Sequence, residues 1–409
     1  MDEQPPRHNP DTDSVSLAHE ASEHRGSLKP PVYETSTYVF ETAEEGKRFF
    51  EIAYGLDDSR PGEEHGYIYT RLDNPNARVA EARLASWEGA DDALVFNSGM
   101  AAISTILFTY LRPGSSILYS TPLYGGTATL LERLLPEWGV DPIPFTPSST
   151  ESDLLRLAEG KSVAVVYIET PANPTNDIFD IGMGARVARA IGARLVVDNT
   201  FLSPVWQRPI DHGADLVVHS ATKYLGGHSD LTAGAVCGSR GEIDELRHQR
   251  YRIGSTPSPQ TTWLLTRSLE TLRLRVERQT DNATRLAEFL SGHEKVESVN
   301  HLSLLDASDP RYPIYEKQCL GPGAMISFEV VNGEEGAFRF LNAMELIHLT
   351  VSLGGTESLA SHPWTNSHST WAPEKKLAIG VTPGLIRFSV GIESTDDLIE
   401  DLDQALAET

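Results

Sequence analysis

The sequence predicts an α/β protein in which a large domain with a mostly parallel sheet is followed by a smaller α+β domain. Between about residues 75 and 219, short and continuously apolar segments alternate with helical patterns. This alternation is typical of parallel strands that helices cover on both faces. Beyond residue 263 the pattern changes to a long helical segment and then a mixture of strands and helices. The 409 residues are enough for two such domains.

Five segments of the large domain have the length and composition of buried strands. They are Ala93–Phe96, Ile117–Tyr119, Val163–Ile168, Arg194–Asp198 and Asp215–His219. Helical patterns precede or separate them at Ala77–Trp87, Ala101–Leu111 and Ala128–Glu137. In sheets of this kind, ligands bind at the carboxyl ends of the strands. The polar residues that follow these segments are therefore the first candidates for a binding site.

The C-terminal part has a mixed pattern. A helical pattern runs from Trp263 to Leu290. Strands are predicted near Val296–Val299, Met325–Val330 and Leu385–Val390, and helices near Glu335–Asn342 and Thr395–Leu406. We therefore predict an N-terminal arm at 1–72, a large α/β domain at 73–268 and a C-terminal α+β domain at 269–409.

Two polar stretches lie within the predicted arm. Residues 1 to about 29 are rich in proline, histidine and serine, which is typical of a loose arm rather than a folded element. Residues 55–64 are polar and contain glycine and proline, which predicts an exposed loop.

Composition excludes several classes of function. The net charge of −24 gives an overall field that repels nucleic acids and anionic membranes. The two cysteines, Cys237 and Cys319, lack metal-binding spacing, so we predict free thiols, no metal site and a reducing cytoplasm. The first residues lack the features of a signal peptide, and no apolar run has the roughly 18–20 residues that span a bilayer.

Lys223 is the central candidate for chemistry. It follows an apolar strand and the hydroxyl residues Ser220 and Thr222. A buried ammonium without a partner is costly, and a lysine whose pKa is lowered by burial forms imines readily. The alternative is a surface lysine that extends its ammonium into solvent. For this residue alone the alternative would be favoured.

Neighbouring segments supply anion-binding groups and a carboxylate. Ser98-Gly99-Met100 joins a predicted strand to a helix, where free N–H groups bind anions, although such a segment is also a common plain turn. Ser220 and Thr222 add two hydroxyl donors or cap a helix. Asp198 ends an apolar strand, where a carboxylate either faces a ligand or caps the next turn.

Four further residues are candidates. Tyr124 precedes two glycines that leave room for a planar ligand ring, and it is otherwise a core tyrosine. Arg387 is a lone cation in an apolar strand, where it requires an anionic partner in a ligand or in the protein. Tyr69 and Arg71 lie in a polar segment for which a solvated loop is the simplest interpretation.

In this order, these elements resemble the Cys/Met-metabolism family of pyridoxal-phosphate (PLP) enzymes. The most specific segment is Asp215–Asp230, which contains Ser220-Ala221-Thr222-Lys223. Glu169–Thr175, Asp198–Phe201 and Ser352–Gly355 are also characteristic, and the resemblance extends from about Pro30 to Leu406. It implies the PLP-dependent transferase fold type I, with the mostly parallel sheet in the large domain.

The resemblance implies a role for each candidate around the cofactor. Lys223 would hold PLP as a Schiff base and act as the general base, and Asp198 would pair with the pyridine nitrogen. Tyr124 would stack on the ring and assist proton transfer, while Asn173 would contact the phenolic oxygen. Arg387 and Ser352 would bind the substrate carboxylate. The phosphate would be held by Ser98, Gly99, Met100, Ser220 and Thr222.

The resemblance also implies an oligomer. Tyr69 and Arg71 match a Tyr-x-Arg motif that reaches the phosphate in a neighbouring subunit. The site would therefore need a homodimer, with a homotetramer as the usual assembly, and the N-terminal arm would lie across a partner chain.

Departures from the family pattern favour one activity within it. Val351 stands where cystathionine γ-lyases tend to carry glutamate, and an apolar residue there suits methionine. Gly126 stands where bacterial methionine γ-lyases carry cysteine, as in the cystathionine enzymes. Asn366-Ser367 and Asn76 also depart from the usual residues. We therefore predict γ-elimination from methionine or a similar amino acid, giving a 2-oxo acid, ammonia and a thiol.

Other activities stay open. The first alternative is γ-replacement on an O-acyl-homoserine, as in cystathionine γ-synthase or O-acetylhomoserine sulfhydrylase, or cystathionine γ-lyase activity. A β-lyase or aminotransferase of the same fold and a catalytically silent relative are more distant alternatives.

Overall fold

A seven-stranded sheet organises the first part of the chain. The computed structural model describes residues 8–57, 66–367, 369 and 371–409. The strands are β1 (Asp92–Phe96), β2 (Ser116–Ser120), β3 (Asp141–Phe145), β4 (Val163–Glu169), β5 (Arg194–Asp198), β6 (Leu216–His219) and β7 (Gly234–Gly238). Their order is β1-β7-β6-β5-β4-β2-β3, and only β7 runs antiparallel to its neighbours. The predicted α/β class with a mostly parallel sheet is confirmed.

Two strands of this sheet were not predicted. Strand β3 contains Pro142 and Pro144, which are tolerated because β3 lies at the edge of the sheet. Strand β7 is made of small residues, and glycine is depleted in strands in general. A Cβ on Gly234 would lie 2.2 Å from the Ser98 carbonyl oxygen, so close packing requires the glycine that obscured the strand.

Helices precede, connect and cover the strands. They are α1 (Pro10–Ser16), α2 (Ala43–Ala53), α3 (Pro75–Glu88), α4 (Gly99–Tyr110), α5 (Gly125–Thr129), α6 (Leu135–Glu137), α7 (Glu151–Ala158), α8 (Ile181–Ile191), α9 (Ser203–Trp206), α10 (Arg240–Ile253), α11 (Pro259–Leu269), α12 (Leu272–Ser291), α13 (Tyr312–Gln318), α14 (Gly333–Ala343), α15 (Pro373–Ala378) and α16 (Thr395–Ala407). Short 3₁₀ segments lie at Ala21–His24, Pro209–His212 and Leu302–Leu304, and Leu130–Leu134 is a π-helical turn between α5 and α6.

Consecutive residues of the strands enter different apolar clusters. On β5, for example, Val196 packs in one cluster and Val197 in the other, and both are fully buried. Because side chains alternate between the two faces of a strand, both faces of the sheet are covered. This double coverage leaves the ends of the strands as the accessible part of the sheet.

A second sheet of five strands follows. Its strands are β8 (Val296–Asn300), β9 (Met325–Val330), β10 (His348–Leu349), β11 (Leu359–Ser361) and β12 (Leu385–Ser389), in the order β10-β11-β12-β9-β8. The predicted long helix at 263–290 is two helices, α11 and α12, which are separated at Glu270 and Thr271. The smaller mixed domain is present as expected, while the domain boundaries at 72/73 and 268/269 stay predictions.

The N-terminal segment is more ordered than the sequence suggested. The prediction of a loose arm is wrong for Pro10–Ser16, which forms α1 and packs on α3 of the same chain. Ser86 Oγ donates to Asp13 Oδ2 at 2.6 Å, and both side chains are buried. Polar residues stabilise this contact, so an apolar pattern could not reveal it. Most of the predicted loop at 55–64 lies outside the described residues, as do residues 1–7.

Arg83 is the centre of this contact. Its guanidinium is fully buried, donates to the backbone carbonyls of Ser14, Val15 and Leu17, and pairs with Glu270. We expect Arg83→Met to lower the free energy of unfolding by about 3 kcal/mol, because it leaves buried acceptors unpaired. Limited proteolysis should then cut the segment before residue 25 faster.

The exposed Arg156 provides the control, since its ion pair with Asp153 lies at the surface. Arg156→Met should change stability by less than about 0.5 kcal/mol. Unchanged proteolysis of the Arg83→Met protein would show that α1 is held by other contacts.

Candidate active site

A cavity of about 940 Å³ opens at the carboxyl ends of the parallel strands and is lined from both sheets. Most of the site residues predicted from the sequence line it. They are Ser98, Gly99, Met100, Tyr124, Asn173, Asp198, Ser220, Thr222, Lys223, Ser352 and Arg387. The two others, Tyr69 and Arg71, lie outside it.

Lys223 is half-buried in the turn that follows β6. Its Nζ donates to Ser352 Oγ at 2.7 Å. Burial, and then the positive charge of Arg387, lower the pKa of Lys223 from 10.5 to about 8. A neutral amine is therefore accessible near neutral pH, which is the form that attacks carbonyl groups and accepts protons.

The segment from Ser352 to Gly354, which contacts Lys223, has an unusual backbone conformation. Ser352 has a φ of 94°, in the left-handed region that residues other than glycine rarely adopt. Gly354 has a φ of 74°, and a Cβ there would lie 2.7 Å from the Tyr224 backbone nitrogen. The segment therefore packs directly on the lysine-bearing turn, and strain of this kind persists where surrounding structure enforces it.

Arg387 extends from the central region of the second sheet. It is buried on β12, and its Nη atoms donate to Asn173 Oδ1 at 3.0 Å and to the Ser352 carbonyl oxygen at 2.9 Å. Its Nε has no hydrogen-bond partner among the described residues. Burial lowers the pKa of Arg387 to about 10, so the group stays cationic at neutral pH. With no protein carboxylate as a partner in the described chain, this guanidinium is available for an anionic ligand.

Asp198 is buried at the end of β5. Its carboxylate accepts hydrogen bonds from the Thr200 backbone N–H (3.1 Å), the Thr200 hydroxyl (2.6 Å) and the Tyr167 hydroxyl (3.0 Å). Burial raises the pKa of Asp198, while these donors and the nearby His219 act in the opposite direction. The carboxylate is thus held in one orientation at the cavity wall.

Glu169 is a cavity residue for which the sequence predicted no role. It ends β4 directly beside Asp198, with which it is paired in the register of the sheet. Burial, followed by repulsion from Asp198, raises the pKa of Glu169 to about 8. The position could have been found by the reasoning that selected Asp198, because Glu169 also follows a run of apolar strand residues.

Glu88 binds two buried residues near Asp198. His219 Nε2 lies 2.6 Å from Glu88 Oε1, and Asn199 Nδ2 donates to the same oxygen at 3.0 Å. Glu88 ends α3 and is distant from these residues in sequence. The contact fixes the residue next to Asp198, and no local sequence pattern could indicate it.

The start of α4 is suited to binding an anion, and we call it the anion cradle. Ser98 caps the helix by accepting from the Ala101 N–H, while the first N–H groups of the helix have no intrahelical acceptor. A Cβ on Gly99 would lie 2.8 Å from Ser220 Cβ, so only glycine permits this approach. The Thr222 hydroxyl bonds to the backbone of Ala233 and holds the lysine-bearing turn.

Tyr124 lies at the mouth of the cavity and is 45% exposed. A Cβ on Gly126 would lie 2.5 Å from Tyr124 Cε1 and 3.1 Å from Met100 Sδ, so the glycine leaves space for the tyrosine ring. Val351, Asn366 and Ser367, which depart from the family pattern, also line the cavity.

Tyr69, Arg71 and Asn76 lie away from the cavity of their own chain. Tyr69 is 42% exposed, and Arg71 donates to the Tyr251 carbonyl oxygen at 2.6 Å. Their contact with a neighbouring subunit stays a prediction. Asn76 binds the backbone of Tyr33 and Pro31, so this departure from the family concerns the N-terminal segment.

The family assignment follows from the whole chain. The model of the Cys/Met metabolism PLP-dependent enzymes matches residues 11–407. The chain belongs to this family. The cavity fits the family's cofactor, because the first N–H groups of α4 have no intrahelical acceptor beside Ser220 and Lys223 offers an amine of lowered pKa in the same cavity.

Individual relatives support the assignment. The L-methionine gamma-lyase of Pseudomonas putida is 42% identical over 97% of this enzyme and 96% of that protein. The cystathionine gamma-lyase of Bacillus subtilis is 36% identical over 94% and 95% of the two chains. The structure of cystathionine gamma synthase from Xanthomonas oryzae pv. oryzae, in complex with aminoacrylate and cysteine, superposes with a TM-score of 0.89 at 33% identity and covers 98% and 99%.

Among the described residues, none of the helices is long and apolar enough to span a membrane.

Burial of Lys223 predicts a distinct pH dependence of its reactivity. In the folded chain freed of cofactor, trace labelling by acetic anhydride should rise with a midpoint near pH 8, since only the neutral amine reacts. At pH 7 about a tenth of the lysine is then neutral, against less than about one part in a thousand at the ordinary pKa. Quantitative mass spectrometry of the Lys223 peptide measures this.

Two controls accompany that measurement. The urea-unfolded chain should show a midpoint near the ordinary 10.5. Arg387→Met should shift the folded midpoint upward, because it removes a neighbouring positive charge. A folded midpoint equal to the unfolded one would contradict the lowered pKa.

The tight contact at Gly99 predicts a loss of cofactor affinity on substitution. Gly99→Ala must displace Ser220 or the start of α4, which we expect to cost about 1–3 kcal/mol and to raise the Kd for PLP about 10- to 100-fold. Fluorescence titration of the cofactor-free chain measures the Kd. Gly241→Ala is the matched control, because its Cβ would enter open space on α10. Equal affinity in both variants would contradict the cradle.

Proposed function

We propose that the enzyme is a PLP-dependent carbon–sulfur lyase that acts on methionine or a similar γ-substituted L-amino acid. The products would be a 2-oxo acid, ammonia and a thiol. The observation that carries this proposal is the absence of an available carboxylate in the described cavity wall. Its two acidic residues, Glu169 and Asp198, already bind donors of the protein. The distal ammonium of cystathionine would have no partner there, whereas a thioether needs none.

The apolar part of the cavity supports the same substrate class. Leu349 and Val351 line the cavity at its exposed side, where Val351 is 61% exposed. An apolar residue at 351 suits an uncharged side chain. The high identity to the L-methionine gamma-lyase of Pseudomonas putida is consistent with this preference.

The residues that would hold PLP all line the cavity. Lys223 would bind it covalently, Asp198 would pair with its pyridine nitrogen, and Tyr124 would stack on its ring. Asn173 would donate through Nδ2, because its Oδ1 already accepts from Arg387. The phosphate would lie at Ser98, Gly99, Met100, Ser220 and Thr222. When bound, the cofactor withdraws electron density from the substrate Cα.

Four residues would bind the substrate and transfer protons. Arg387 has unused donor capacity for the α-carboxylate, and Ser352 lies between Arg387 and Lys223. The lowered pKa of Lys223 leaves a neutral Nζ that accepts the Cα proton. Tyr124 would assist proton transfer at the mouth of the cavity.

A second subunit would complete the site. We propose that Tyr69 and Arg71 of one chain reach the phosphate in another, within a homodimer that assembles further into a tetramer. Their position outside the cavity of their own chain supports this. The N-terminal region also exposes Leu28 and Val39 almost completely, as expected of a surface that a partner covers. The two free thiols are consistent with a cytoplasmic enzyme.

Two observations favour γ-replacement as the second candidate. Gly126 removes the side chain that bacterial methionine γ-lyases carry at this position, and the fold superposes closely on a cystathionine gamma synthase. An O-acyl-homoserine also has an uncharged distal group, so the cavity wall does not discriminate against it.

A substrate panel tests the proposal. Methionine, O-acetylhomoserine and cystathionine would each be incubated with the holoenzyme, with and without added thiol, and 2-oxobutyrate, thiol and cystathionine would be assayed. We expect methionine to give 2-oxobutyrate and methanethiol, with kcat/KM at least tenfold above that for cystathionine. Lys223→Ala should abolish the reaction. Turnover of O-acetylhomoserine with thiol but none of methionine would support the second candidate instead.

A further inference from the structure

We propose that Glu169 is a positioning residue that holds together the two loops presenting Tyr124 and Asn173. The inference rests on the proposed function of the cavity, because it assigns the ring-stacking role to Tyr124 and the substrate-carboxylate role to Arg387. The new element is Glu169, which would act through Tyr124 and, by way of Asn173, through Arg387.

A single carboxylate makes both contacts. Glu169 Oε2 accepts the backbone N–H of Tyr124 at 2.8 Å, and Oε1 accepts the backbone N–H of Asn173 at 2.8 Å. Each oxygen thus serves a different loop. The two loops follow different strands, β2 and β4, so Glu169 is a direct link between them.

The first loop is anchored at both ends. The Glu169 backbone N–H donates to Ser120 Oγ at 3.0 Å, at the end of β2 where the loop begins. The Glu169 carboxylate binds the loop again at Tyr124, which precedes α5 and has no side-chain cap of its own. The position of the Tyr124 ring over the cavity therefore depends on Glu169.

The second loop carries the contact to Arg387. Asn173 Oδ1 accepts from Arg387 Nη1 at 3.0 Å, and both residues are buried. A shift of the Asn173 backbone would move this acceptor and leave the guanidinium held by the Ser352 carbonyl oxygen alone. Glu169 thereby influences where a substrate carboxylate binds, although it is not a group that we expect to touch it.

The location of Glu169 distinguishes this role from ordinary structural support. It is 4% exposed, lines the cavity and lies beside Asp198. A buried carboxylate next to another one costs stability. A glutamine of the same shape would avoid this cost, but its amide nitrogen could not accept the second of the two backbone N–H groups.

Glu169→Gln is the principal test, because it conserves shape but places an amide NH₂ against one of the N–H donors. We expect the Kd for PLP to rise at least tenfold through the loop of Tyr124. In the holoenzyme saturated with PLP, the KM for the amino acid should rise at least fivefold through Asn173 and Arg387, with a smaller change in kcat. Ser120→Ala, which loosens the same loop more gently, should raise the Kd for PLP two- to fivefold.

Asp215→Asn is the matched control. Asp215 also accepts a backbone N–H, that of Leu195, but at the amino ends of β5 and β6, opposite the ends that form the cavity. It should leave the Kd for PLP and the KM within twofold of the parent. Melting temperatures of all cofactor-free variants would be recorded alongside.

The outcomes separate the two hypotheses. The Kd for PLP is measured without substrate, and KM is measured with whichever panel substrate reacts, so failure of methionine turnover leaves this test intact. A folded Glu169→Gln variant with Kd and KM within twofold of the parent would overturn the proposal. It would also fail if Asp215→Asn had equal effects, since the role would then be general stability. Should Glu169→Gln not fold, an unchanged Kd in Ser120→Ala would overturn it.

Discussion

Burial of two neighbouring acidic side chains at the ends of the parallel strands is the constraint on which the rest of the structure depends. Asp198 and Glu169 lie side by side on neighbouring strands, where burial and their mutual repulsion raise the pKa of Glu169 to about 8. Both are retained because donors surround them, from Thr200 and Tyr167 on one side and from backbone N–H groups on the other. The hydrogen bonds that these two side chains accept fix the turns after the strands, and those turns form the cavity wall.

The second sheet contributes the opposite charge. Arg387 comes from β12, and its contacts with Asn173 and Ser352 join the two sheets at the cavity. Lys223 also lies at this cavity, where burial and the nearby Arg387 guanidinium both favour its neutral form. Neither half of the chain contains the complete set of groups, so the chemistry depends on how the sheets pack together.

The sequence revealed those features that local patterns encode. Apolar runs predicted the buried parallel strands, and a polar residue at a strand end selected Asp198. Strand β3 was missed because Pro142 and Pro144 are acceptable only at an edge, which is a property of the assembled sheet. The contact of Glu88 with His219 joins residues far apart in sequence and has no local pattern. Tyr69 and Arg71 were selected only by resemblance, since their own surroundings suggest a surface loop.

The docking of α1 on its own chain has a consequence for assembly. Arg83 holds the carbonyls of this segment, and Glu270 pairs with both Arg83 and Lys29. The N-terminal segment is thereby restrained within its own chain at two points, the carbonyls bound by Arg83 and the ion pair of Lys29. Conformational entropy is lost during folding of the single chain, and a second chain would meet a preorganised surface. In the proposed dimer, α1 would thus enter the interface as an already folded element.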